Sequence, residues 1–129
     1  MLFESLPIVV FVGKNNGEEI LVVRRDIYTG LPGGVVGENE GLHDCGLRIL
    51  NSISMHSPLE HKSVFLQRKE DVWDGKMSSL CIVTFPGVKL LPTNGAFWVN
   101  PNDSSYVFDI TIELFRPVIS ANPPIVMTA

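Results

Sequence analysis

Glu40, Asp44 and Arg48 are spaced by four residues along one stretch of the chain, and their types suit cation binding, proton transfer or phosphate recognition. Asp44 and Arg48 can pair across one turn if the stretch is helical. Glu40 then lies at the helix start, where a carboxylate meets the positive end of the helix dipole. Arg24 and Arg25 end a β-branched run, and strand alternation sends them to opposite faces. Gly33-Gly34 follows Pro32, so the backbone there can turn tightly and come close to a neighbour, although no GxGxxG phosphate cradle is formed. Glu70, Asp71 and Asp74 crowd one connection and read as solvated turn charges. His43, His56 and His61 lack ligand spacing and read as surface residues. Cys45 and Cys81 have no second cysteine at metal spacing and read as free thiols, with Cys81 inside an apolar run. There is no Ser-His-Asp order and no P-loop.

These residues need a scaffold, and the hydrophobic pattern supplies one. The chain has 129 residues, 45% of them apolar, which suits one globular domain with residues 1–6 and 120–129 as peripheral tails. The net charge is −4 with scattered Lys and Arg, which argues against a nucleic-acid or anionic-membrane role. The apolar run at Leu6–Val12 is too short to span a bilayer and lacks the flanks of a signal peptide, so a cytoplasmic protein is expected.

Pro7–Val12 and Glu19–Arg25 read as strands joined by a turn at Lys14-Asn15-Asn16-Gly17. Gly41–Met55 carries apolar residues at helical spacing, with Asn39 as a candidate cap, an internal Gly46 that implies close packing, and Ser57-Pro58 as the stop. Lys62–Arg68 and Ser78–Pro86 read as strands connected by Lys69–Lys76 through an Asp74-Gly75 turn. Gly87–Gly95 reads as a loop and Ala96–Val99 as a strand. Ser104–Arg116 fits two patterns equally: its apolar residues alternate as in a strand, while Asn102-Asp103-Ser104-Ser105 resembles a helix cap.

Leu31-Pro32-Gly33-Gly34, Glu40, Arg48 and Leu50 stand in the register of the Nudix box, G-x5-E-x7-R-E-U-x-E-E-x-G-U, with Gly34 at its first glycine. Ile20–Arg25 resembles the strand before that box, and Phe97-Trp98-Val99-Asn100-Pro101 the later tryptophan strand leading to a final helix. The chain thus resembles a Nudix (MutT-like) domain from Pro7 to Phe115. The resemblance implies a Nudix-like α/β/α sandwich, a mixed β-sheet between helices, with Ser104–Phe115 helical. The box glutamates, however, fall on Ile49, Ser52 and Ile53, its late glycine on Met55 and its last aliphatic on His56.

Such a domain is expected to keep the fold and a pocket while losing the hydrolytic metal site. No cofactor is then expected, and magnesium only if hydrolysis is retained. In that case Glu40 is the candidate metal ligand and catalytic carboxylate, joined by Glu70, Asp71 or Asp74 in a rebuilt site. Arg25, Gly33, Gly34 and Arg48 are the candidate substrate-binding residues, Arg25 because family members contact phosphate there. The first functional reading is a non-catalytic binder of a nucleotide-like or phosphorylated ligand, or of a protein partner. The others are a divergent magnesium-dependent hydrolase of nucleoside diphosphate-linked compounds and a structural homodimer subunit. Homodimers are common among proteins resembling this family, so a homodimer is expected.

Overall fold

β1 (Ile8–Val12) is the strand on which the layers divide, because alternation sends its side chains to two different cores. Val9 and Phe11 enter one, and Val10 and Val12 the other. The computed structural model describes residues 6–56 and 62–119. The tail at 120–129, most of that at 1–6, the Ser57-Pro58 stop and His61 lie outside the described residues.

The remaining elements are β2 (Asn15–Asn16), β3 (Glu19–Arg25), β4 (Tyr28–Gly30), β5 (Gly33–Val35), α1 (Leu42–Ile53), β6 (Ser54–His56), β7 (Val64–Trp73), β8 (Lys76–Thr84), β9 (Leu90–Pro92), β10 (Ala96–Val99) and α2 (Ile110–Ile119). One four-stranded sheet has the order β5-β1-β8-β7 and is mixed, since β1 and β8 run parallel while the outer pairs are antiparallel. A second, antiparallel sheet has the order β10-β3-β2, with β4 also on β3. β6 and β9 form a small antiparallel ribbon. The two helices pack into the two cores, Cys45, Ile49, Leu50 and Ile53 of α1 in one and Ile112, Phe115, Val118 and Ile119 of α2 in the other. This is the expected α/β/α sandwich, although its strands are shared between separate sheets.

The elements depart from the sequence reading where local pattern met a tertiary partner. Asn39 does not cap α1; it sits at φ +60°, and Gly41 occupies the cap position without a side-chain bond. α1 ends at Ile53 because the Ile53 carbonyl accepts the Thr93 N–H at 2.6 Å and the chain turns into β6. The partner of β6 is β9, which lies inside the segment read as a loop. Gly46 is tight as expected: a Cβ there lies 2.8 Å from Val83 Cγ2.

The Asp74-Gly75 turn holds, with φ +52° and +76°, but its arms extend through Lys69–Trp73, which the sequence assigned to the connection. β7 is an edge strand, so its charged residues face water without breaking the ladder. In 104–116 only the second half is helical. Asp109 caps α2, its Oδ1 accepting the Thr111 N–H at 2.9 Å, and Asp103 instead holds a local turn through the Ser105 N–H at 2.9 Å. Phe108 is still extended and bridges Thr29.

Candidate functional site

Arg48 lies in the middle of α1 and reaches back over the loop that precedes it. Its Nε donates to Glu40 Oε2 and its Nη2 to Glu40 Oε1, both at 2.9 Å. The same Nη2 donates to the Val35 carbonyl at 2.9 Å and contacts Cys45 Sγ at 3.5 Å. Glu40 Oε1 also accepts the Gly37 N–H at 2.9 Å. The arginine hydrogen bond, then the backbone N–H, hold the Glu40 carboxyl down to about 2. Burial pushes the Cys45 thiol up to about 11, so it is not a poised nucleophile. Arg48 therefore pairs with Glu40 and not with Asp44, the partner that helix spacing suggested.

The three box positions carry no carboxylate toward a ligand. Ile49 and Ile53 are 5% and 9% exposed and belong to the α1 core. Ser52 Oγ donates to the Ile49 carbonyl at 2.7 Å, a bond within the helix. Magnesium requires several oxygen ligands, usually carboxylates and waters. Two aliphatic side chains, a back-bonded hydroxyl and a carboxylate committed to an arginine do not fit it. Among the described residues no three His, Cys, Asp or Glu side chains gather as a metal-holding group.

The adjacent glycines serve opposite faces. A Cβ on Gly34 meets Ile49 Cγ1 at 3.4 Å and Arg48 Nη1 at 3.9 Å, so Gly34 belongs with the α1 site. A Cβ on Gly33 collides with the Phe11 ring, its cross-strand partner. Phe11 meets Trp73 edge-on at 5.1 Å between centroids, and the Arg25 guanidinium lies 5.2 Å from the Trp73 ring centre. Gly33 thus supports a second site, on the α2 face.

That second site is an open cleft of about 600 Å3 lined by Arg25, Tyr28, Trp73, Asp74 and Asp109. Arg25 donates from Nε and Nη2 to Asp109 Oδ2 at 3.1 and 3.0 Å, and from Nη2 to the Leu31 carbonyl at 2.6 Å. It is therefore a held side chain, with Nε and Nη2 already bonded. Thr111 hydroxyl donates to Asp109 Oδ1 and accepts the Leu31 N–H at 3.0 Å, which fastens the β4–β5 connection to α2. Arg24 is exposed on the other side of its strand.

Sequence reasoning placed Arg25 but missed Trp73, Tyr28 and Asp109. Trp73 did offer a signal, a lone tryptophan beside a charged turn, where a solvated loop has no use for one.

The remaining candidates stay apart. Glu70 faces Arg68 on β7 at 3.6 Å, Asp71 Oδ1 accepts the Val72 N–H at 2.7 Å, and Asp74 reaches the cleft rim. Among the described residues Glu40 is bonded to Gly37 and Arg48, and to none of these three. His43 is not a bare surface residue: its Nδ1 and Ser63 Oγ share a 2.8 Å hydrogen bond, and its ring lies 5.9 Å from that of Phe85. Cys45 and Cys81 are buried free thiols.

Comparison with known proteins gives no matching family model and no matching curated protein. Solved structures do match. The MutT NUDIX hydrolase from Burkholderia pseudomallei superposes with a TM-score of 0.69 at 16% identity, covering 88% of this chain and 98% of that one. The MutT protein from Methanosarcina mazei Go1 gives 0.63 at 18% identity, covering 89% and 93%. A bifunctional NMN adenylyltransferase/ADP ribose pyrophosphatase from Francisella tularensis, complexed with AMP and a manganese ion, gives 0.61 at 13% identity, covering 88% of this chain and 41% of that one. No helix among the described residues is long and apolar enough to cross a membrane. At these identities the likeness concerns the backbone alone, and on that ground the chain has the fold of the Nudix hydrolases.

Proposed function

We propose that the chain is a single Nudix-like domain that binds a nucleotide-like ligand without hydrolysing it. One observation carries the reading: the box positions offer no free carboxylate, because Glu40 is bridged to Arg48, Ile49 and Ile53 line the core and the Ser52 hydroxyl bonds within the helix. A domain of this fold without that carboxylate face keeps its clefts and loses the means to hold a metal on a diphosphate.

The ligand class follows from the Arg25–Trp73 cleft. Tyr28 and Trp73 give it aromatic walls, and Arg25 and Asp109 put charge beside them. Flat heteroaromatic rings stack on such walls, and the Arg25–Asp109 pair beside them offers polar atoms to a base edge.

The test is a panel of nucleoside mono- and diphosphates and diphosphate-linked compounds, with and without magnesium. The expected result is a metal-independent rise in melting temperature with some member of the panel, no release of phosphate or nucleoside monophosphate, and loss of the shift in Trp73→Ala. Magnesium-dependent product release would overturn the reading.

A further inference from the structure

A second pocket lies in the other layer, where its apolar residues Val88, Leu90 and Trp98 pack against the α1 core. It holds about 280 Å3 and is lined by Lys14, Asn15, Asn16, Val88, Lys89, Leu90 and Trp98. Its volume is near the low end for ligand sites, so it suits a small molecule. The acidic residues of a chain with net charge −4 are absent from its lining, which carries two lysines.

Lys14 is built into the fold. Its carbonyl accepts the Leu21 N–H at 2.9 Å, and Leu21 is the cross-strand partner of Trp98. The ammonium donates to the Phe85 carbonyl at 2.8 Å. An ammonium has three donors, so two remain for another acceptor. None of the ion pairs among the described residues includes Lys14 or Lys89. Partial burial lowers the Lys14 pKa, the mark of a cation that has lost water without gaining a counter-charge. Trp98 is half-buried and, with Val88 and Leu90, supplies an apolar wall beside the two cations.

We propose that the Lys14–Lys89–Trp98 pocket is a second ligand site, for a small anion with a flat apolar body. The anion lies between the two ammonium groups and its body against the indole. The inference does not depend on the reading of the Arg25–Trp73 cleft, which belongs to the α2 layer.

Phenyl phosphate is the probe, titrated into the full chain labelled with nitrogen-15. Saturable shifts are expected in the Trp98 indole and the Lys14–Asn16 amides. Inorganic phosphate and benzyl alcohol, each lacking one half of the probe, should bind at least about tenfold more weakly, the scale of one charge-assisted hydrogen bond. Lys14→Met should weaken binding by at least about tenfold. Because that change also removes the bond to Phe85, Lys89→Glu provides a second variant at an exposed position and should weaken binding as much. Shifts confined to Trp73 and its neighbours, benzyl alcohol binding as well as phenyl phosphate, or unchanged affinity in Lys89→Glu would each overturn the proposal.

Discussion

The Arg48 guanidinium grips the Glu40 carboxylate with two hydrogen bonds of 2.9 Å, across the start of α1. The same side chain bonds the Val35 carbonyl, so one arginine joins the loop, β5 and the helix. Fork-to-fork pairing of this kind fixes orientation as well as charge. The carboxylate is a bracket for the loop over 36–41, and that use competes with metal binding.

This bracket is sensitive to acid. The folded-state carboxyl titrates at about 2, below its ordinary value of 4.5. A depressed acid contributes its stability in full above the unfolded value and loses it as the pH falls toward the folded one. Between about pH 4.5 and 2 the native chain should lose stability faster than Glu40→Gln. Urea midpoints measured across that range check this. Parallel pH profiles would mean that the bridge contributes nothing.

Restoring the box tests the register. Ile49→Glu, Ser52→Glu and Ile53→Glu together place carboxylates at two buried positions, so the melting temperature should fall. Magnesium should then raise the melting temperature of the triple variant and leave the native chain unchanged. A triple variant indifferent to magnesium would mean that these three positions do not converge as the resemblance implies.

Gly46→Ala should destabilise by about 1–3 kcal/mol, because its Cβ enters the space of Val83 Cγ2 and the rim of Phe85. Gly41→Ala makes a control, since nothing lies within 4 Å of its Cβ. Its change should stay below about 1 kcal/mol, limited to the weaker cap. Chemical denaturation of both variants separates close packing from helix propensity, which favours alanine in the interior.

Asp109 both caps α2 and holds Arg25. Asp109→Ala should lose about 1–2 kcal/mol through the cap. Asp109→Asn keeps an acceptor for the Thr111 N–H and should lose less. Both variants release Arg25 from its ion pair, so nucleotide affinity should change in both while the stability loss differs. Calorimetry and denaturation on the same two proteins check the separation.

Much of the architecture could be read from periodicity. Val9 to Val12, Leu21 to Val23 and the Cys45–Ile53 stripe all point to the cores they enter, because burial is what spaces them. The errors have one physical source, which is that tertiary partners are invisible to local rules. The i, i+4 rule chose Asp44 for Arg48, but Glu40 is delivered by a loop folded back on Gly37. Asn39 has the right type for a cap and the wrong backbone, at φ +60°. Lys69–Trp73 reads as a loop because an edge strand tolerates charges. The Arg25–Trp73 cleft was half legible, since its residues come from β3, β4, the end of β7 with its turn, and the cap of α2, far apart in the chain.

β1 and β8 are parallel neighbours at the centre of the mixed sheet, although residues 13–75 lie between them. β5 reaches β1 across residues 13–32, and β7 and β8 meet through a two-residue turn, so each of these pairs closes a shorter loop than the β1–β8 seam. The seam between the two halves closes a longer loop, at a greater loss of chain entropy. During synthesis, the backbone N–H and C=O groups along one edge of the apolar run Val9–Val12 therefore stay unpaired until the distant hairpin emerges. In that interval a nascent chain is most prone to pair with a neighbour instead of with itself.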